Sequence, residues 1–376
     1  MNTHDICVRG QGPAGRALAL ALSAQGWRVA LTGDAARAAR TDDLRTYALN
    51  ARAVKLLSRI KVWDALLHAG DAATRVLDMQ VCGDDGGRIA FSAWEQCETE
   101  LAWIVDAQAL DEALAQALRY AAHVATVPED DPAAAAAPLV AICEGARSAT
   151  RAALDAGVRR QEYGHTAVAA RLVADRPHAG VARQWFRSPD ILALLPFDRP
   201  AHGRSYGLVW SQPHAQAQRL RALDDAAFEA ELHAATGGAA GALRLGSARA
   251  GWPLSLVKVE RWCGPGWVVV GDAAHQVHPL AGQGLNLGLA DVDTLARVLG
   301  EARRHEPWRS PGDERLLRRY VRERAAPTAA MAGLTDGLLH LFANPAAPLR
   351  ELRNRGMTAL GALPPVKRWL VGRALD

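Results

Sequence analysis

The chain has 376 residues, of which 49% are hydrophobic and 22% charged, and a formal net charge of +4. It is too long for one simple core, so two subdomains are expected, and its composition excludes a disordered chain. The small net charge, with no long Lys/Arg block, argues against a nucleic-acid partner. Cys7, Cys82, Cys97, Cys143 and Cys263 form no CxxC pair. That argues for a reducing compartment and against a disulfide frame or a metal site. The opening MNTHDICVRG lacks a signal-peptide layout, and no uncharged apolar run nears the ~18 residues of a membrane span. A cytoplasmic protein is expected.

Residues 6 to 8 predict a short strand, residues 16 to 25 a helix that Gly26 ends, and residues 28 to 31 a second strand. This βαβ unit implies a parallel sheet. From 42 to 67 the spacing of apolar residues predicts helix, and VDAQALDEALAQALRYAA predicts another. The Ala-Pro tract in VPEDDPAAAAAPLVAICEGARS reads as a shortened connection. Between about 163 and 213, apolar runs alternate with turn residues, which predicts an antiparallel sheet. A β-branched run at 267 to 270 leads into GDAAHQVHP, and the remainder reads as helical.

Gly10, Gly12 and Gly15 form GxGxxG between strand and helix. The first glycine permits the tight turn, the second lets the backbone approach a pyrophosphate, and the third lets helix and strand pack closely. Pro13 and Ala14 open the helix, whose free N–H groups and dipole favour phosphate. An acid about 20 residues on should bind the ribose. Thr32 stands at the end of the second strand, with Asp34 two positions later, so either Asp34 reaches the ribose from a shifted turn or Thr32 does so weakly.

The segment 271–289, GDAAHQVHPLAGQGLNLGL, resembles the flavin-contacting motif of the class A flavoprotein aromatic hydroxylases, and is closest in wording to the ubiquinone-biosynthesis hydroxylases. The resemblance implies an α/β fold with a Rossmann-like FAD-binding domain, an antiparallel-sheet substrate domain and C-terminal helices. It places the FAD domain at 1–78, 98–160 and 250–300, the substrate domain at 79–97 and 161–249, and the helical region at 301–376. It implies that Asp272 accepts hydrogen bonds from ribityl hydroxyls and that Pro279 lies beside the isoalloxazine. Gly282, Gln283 and Gly284 would form a backbone nest, with Leu285 and Asn286 opening a helix toward the flavin pyrimidine. Arg45 matches an arginine near the pyrophosphate, although it also reads as a surface residue starting a helix. Asp106 matches a contact from the helix beside the cofactor.

The implied reaction is hydroxylation of an aromatic ring by O2, through a flavin C4a-hydroperoxide, with NAD(P)H as transient reductant and no second Rossmann site. His278 is a candidate general base, whereas His275 reads more plainly as a loop-holding residue. The chain departs from the family where Glu144 stands for an aspartate, in the short 128–138 connection and at Thr32; all three serve the nucleotide half of the cofactor. Alternatives are a hydroxylase of a soluble aromatic in secondary metabolism, a non-catalytic paralogue within a complex, and an FAD oxidase or dehydrogenase sharing the nucleotide domain. The basic, amphipathic stretch 345–376, split by Pro364 and Pro365, offers peripheral attachment to the inner membrane face or to a partner subunit.

Overall fold

The computed structural model describes residues 3–33, 43–84, 86–276 and 283–343, together with Glu351, Arg355 and Gly356. Its first βαβ unit follows the expectation: strand Ile6–Arg9, helix Pro13–Ser23 and strand Val29–Thr32, the strands paired in parallel from Ile6↔Val29 to Arg9↔Thr32. Strands Leu139–Ile142 and Trp267–Val269 extend the sheet on one side and Val124–Thr126 ends it on the other, with Cys263–Gly264 as an antiparallel edge. Ile6, Cys7 and Val8 are wholly buried, as befits a parallel sheet covered on both faces. The connection after Val124–Thr126 is a single helical turn, Pro132–Ala135. There Ala134 and Ala137 pack on Cys7 and Ala30, so this short segment covers the sheet.

A nine-stranded sheet carries the antiparallel part. Its long strand Val158–Ala174 pairs with Ser205–Pro213 on one side and Ala250–Val259 on the other. The hairpin Asp78–Cys82 and Arg88–Ser92 joins the far side through a parallel pairing with Val181–Arg187. Strand Ala250–Val259, which follows the expected boundary at 250, pairs by its backbone along Val158–Ala174 in this sheet.

The all-helical expectation for 42 to 67 is also corrected. Thr46–Leu49 is a strand, paired with Ala102–Asp106 in a three-stranded sheet that includes Ala73–Val76. Helix starts only at Ala51, after Asn50 caps it by accepting from the Ala53 N–H at 2.9 Å, and it ends before Lys61, whose φ is 64°. Helices Gln283–His305 and Glu314–Ala343 complete the described chain, and the second is tied to the parallel sheet by Tyr320, whose hydroxyl donates to the Val269 carbonyl at 3.0 Å. Among the described residues no helix is long and apolar enough to cross a membrane. The stretch 345–376 lies almost wholly outside them.

Candidate active site

One cavity of about 1120 Å³ runs from the C-terminal ends of the parallel strands to the face of the nine-stranded sheet. Such strand ends are where open α/β sheets bind ligands, because loops diverge there and helix N-termini point inward. Gly12, Thr32, Glu144 and Asp272 line the cavity at or just beyond the ends of four of those strands, and Ala167, Ala169 and Ala193 line it on the opposite sheet.

The three fingerprint glycines differ in what makes them glycines. A Cβ on Gly15 would sit 1.9 Å from the Gly10 carbonyl oxygen, and one on Gly10, at φ 112°, would sit 2.4 Å from the Cys143 oxygen. Packing inside the chain requires both. Gly12 has φ −72° and ψ 175°, open to any residue, and no atom lies within 4 Å of its would-be Cβ. Gly284 likewise faces empty space. Among the described residues the room kept at Gly12 and Gly284 is unused, and it suits a ligand that approaches the backbone closely.

Asp272 follows the strand Trp267–Val269 in a single 3-10 turn, Gly271–Ala273. Its side chain is solvent-exposed within the cavity, whose wall it lines, with protein packed around it. Burial pushes its pKa up, while the nearby His275 and Arg45 oppose the shift. The turn can sit against helix Gln283–His305 because Gly271 and Gly288 face each other: a Cβ on Gly288 would meet the Gly271 Cα at 3.4 Å, and one on Gly271 would meet the Ala14 Cβ at 3.3 Å. Both helix starts and the acid thus converge on one spot. Asn286 fixes the second helix start: its Oδ1 accepts from the Asn50 N–H at 3.1 Å and its Nδ2 donates to the Ala48 carbonyl at 2.7 Å. Its side chain is a strut, which leaves its backbone to the cavity wall with Gly284 and Leu285.

Beneath this turn lies a residue the sequence analysis missed. Asp291 is fully buried; its Oδ2 accepts from the Gly271 N–H at 3.0 Å and lies 2.6 Å from His275 Nε2, and its Oδ1 accepts from Arg324 Nε at 2.7 Å. Burial opposes its charge, but His275 and Arg324 hold its pKa below the usual carboxylate range. His275 therefore holds the loop, as its plainer reading had it. A lone acid inside the apolar run NLGLADV was the available signal.

Arg45 lines the cavity and holds Asp43 through Nε at 2.9 Å and Nη2 at 2.5 Å; burial disfavours its charge, and this pairing raises its pKa nonetheless. Glu144 also lines it, but its carboxylate is spent on Ser148 Oγ and Thr150 Oγ1, each at 2.6 Å. Thr32 is on the wall and almost wholly buried. Asp106 stands apart: it caps the helix Ala107–Arg119 by accepting from the Ala109 N–H at 2.9 Å and pairs with Arg171 Nη2 at 2.9 Å. It is absent from the cavity wall and positions the elements around it. Asp34, His278, Pro279 and Gly282 lie outside the described residues, as does the side chain of Gln283.

The model of the FAD binding domain family matches residues 119–334. The chain is 31% identical to ubiquinone hydroxylase UbiL of Rhodospirillum rubrum, over 99% of this chain and 89% of that one. It is also 31% identical to 3-demethoxyubiquinol 3-hydroxylase of Escherichia coli, over 99% and 98%. The chain belongs to the FAD-dependent hydroxylases of ubiquinone biosynthesis. In fold the hydroxylase resembles PqsL, a probable FAD-dependent monooxygenase from Pseudomonas aeruginosa, with a TM-score of 0.74, 20% identity and coverage of 95% and 99%. It likewise resembles p-nitrophenol 4-monooxygenase PnpA from Pseudomonas putida, with a TM-score of 0.75, 17% identity and coverage of 99% and 98%. The enzyme is a monooxygenase with FAD as cofactor, and the space kept at Gly12 and Gly284, in the same cavity as the acid Asp272, fits that group.

Proposed function

We propose that the enzyme hydroxylates the ring of a prenylated phenol, a ubiquinone precursor, with NAD(P)H as transient reductant. One atom of O2 enters the ring, the other leaves as water, and NAD(P)H supplies the two electrons. The observation that carries this reading is the continuity of the cavity. The glycine cradle at one end and an apolar arm at the other, lined by Val76, Met79, Phe91, Leu101, Ile104 and Leu195, form one space. An apolar arm suits a hydrocarbon tail, and the names of the two sequence relatives point to ubiquinone-type rings.

Bound FAD supplies the oxygen chemistry. Gly10, Gly12, Pro13, Ala14 and Gly15 form the pyrophosphate cradle in this proposal, with Arg45 as its side-chain cation and Asp34 at the ribose. Asp272 accepts hydrogen bonds from the ribityl chain. The backbone from Gly284 to Asn286, at a helix start, would face the ring edge that becomes negative on reduction, and Pro279, Gly282 and Gln283 join this role in the proposal by their place in the sequence alone. His278 assists loss of the phenol proton. The sheet excludes the water that would waste the reductant as peroxide.

The test is NAD(P)H oxidation by the purified yellow protein with a panel of prenylated and soluble phenols, and mass spectrometry of the products. Hydroxylated prenylphenol is expected; turnover of soluble phenols alone would move the enzyme to secondary metabolism. Peripheral association with a membrane or a biosynthetic complex belongs to the same proposal, through the basic, amphipathic stretch 345–376. Equal partition onto anionic vesicles with and without that stretch would remove the membrane part.

A further inference from the structure

Across four neighbouring strands, one row of paired residues faces the cavity: Ala169, Val209, Ala193 and Gln184. The row beside it continues with Leu195 and Ala182. Side chains alternate between the two faces of a strand, so this floor is short and apolar except for one amide. Gln184 is 5% exposed, and among the described residues its side chain has no hydrogen-bond partner. Its polar atoms are not sealed in protein, since Gln184 lines the lumen. The other buried polar side chain on this sheet face of the cavity, Ser255, donates to Gln276 Oε1 at 3.3 Å.

Burying an amide with nothing to bond is unfavourable, and a leucine or methionine would serve a purely structural purpose better. An amide is also uncharged and both donates and accepts. It can accept a phenol O–H or donate to a hydroxyl or methoxy oxygen, and unlike a guanidinium it does not call for an anionic partner. Arg183, its neighbour on the strand, is committed to the Tyr206 hydroxyl at 2.9 Å.

We propose that Gln184 is a specificity-determining residue of the reaction, whose amide hydrogen-bonds an uncharged oxygen substituent of the aromatic ring and so sets how the ring lies across the alanine floor. This rests on the reading of the enzyme as a prenylphenol hydroxylase.

Binding to the FAD-loaded enzyme is followed by the change in flavin absorbance, with 2-prenylphenol and its oxygen-free analogue prenylbenzene as probes. The natural enzyme is expected to prefer the phenol by about tenfold or more, the size of one good hydrogen bond at a buried site. In Gln184→Met, which keeps length and removes polarity, the preference falls to about one, through weaker phenol binding and unchanged prenylbenzene binding. Flavin retention shows that the variant is folded, and Gln184→Leu serves if it is not. A preference that survives both substitutions overturns the assignment while leaving the hydroxylase reading intact. Failure of the natural enzyme to bind or hydroxylate prenylphenol overturns the reading and the assignment together.

Discussion

Arg324, on the last long helix, donates through Nε to the Oδ1 of Asp291 at 2.7 Å, and both side chains are buried. The other oxygen of Asp291 holds the Gly271 N–H and His275. A buried ion pair from two C-terminal helices thus fixes the backbone one residue before Asp272.

Removing the charge from this pair strands Arg324 in the interior. Asp291→Asn is expected to cost about 3–5 kcal/mol of stability, read as a lowered urea midpoint. Because the folded pKa of Asp291 lies below its unfolded value, its contribution is full above the ordinary carboxylate range near about pH 4 and is lost as pH falls through the folded value. The variant should lack that component of acid unfolding; an unchanged acid profile would mean the pair is not ionised.

Gly12 and Gly15 should separate ligand space from folding space. Gly12→Ala meets no protein atom, so stability should change by no more than about 0.5 kcal/mol. FAD should nonetheless bind about tenfold more weakly or worse, since a methyl group forced into a close contact costs about 1–3 kcal/mol. Gly15→Ala drives its methyl into the Gly10 carbonyl and should lower Tm sharply. Equal effects of the two on Tm would show that the space at Gly12 is not kept for a ligand.

Asp272 gives FAD affinity a pH dependence. Burial raises its pKa, so the empty site holds the proton more tightly than an ordinary carboxyl does. Hydroxyl donors favour the ionised form, so FAD binding releases that proton at pH values between the lower pKa of the bound state and the raised one of the empty site. Affinity should climb with pH through that range and level off above it. Asp272→Asn should bind FAD more weakly and show a flatter curve above the ordinary carboxylate range, read by quenching of flavin fluorescence. A variant as yellow and as pH-dependent as the parent would displace Asp272 from the ribityl chain.

Asp106 and Arg171 test positioning against direct contact. Asp106→Asn keeps an oxygen to cap the helix but leaves Arg171 without its counter-ion, at a cost of about 3–5 kcal/mol. Adding Arg171→Met should recover most of that loss. FAD affinity of the folded double variant should match the parent's; a persistent loss of affinity would restore Asp106 as a direct cofactor contact.

Local patterns were legible where the chemistry is local. The turn from Gly10 to Gly15, the strand before Asp272 and the apolar alternation of the antiparallel strands each express a constraint within a few residues. Capping at Asp106 was legible in principle, since an acid between a strand and a helical run is an N-cap signature, but the family match directed attention to the cofactor instead. Thr46–Leu49 was hidden because its pairing partner, Ala102–Asp106, lies more than fifty residues away. The parallel pairing of Val181–Arg187 with Asp78–Cys82 spans a hundred residues, and neither segment encodes the other. Arg324 was unreadable for a related reason: an arginine in a basic helix looks solvated until the acid it faces is known. Gln184 carried no signal, being one of three polar residues in the strand VARQWFR.

Because, among the described residues, the glycine cradle and the alanine floor line one cavity, neither guest would have a complete berth while the other is missing. On the proposed placement the prosthetic group, once seated, would become one side of the chamber that receives the aromatic substrate. By thermodynamic reciprocity each occupant then tightens its companion's hold. Apoprotein should therefore be a poor receptor for the phenol, and saturating phenol should slow the escape of the flavin.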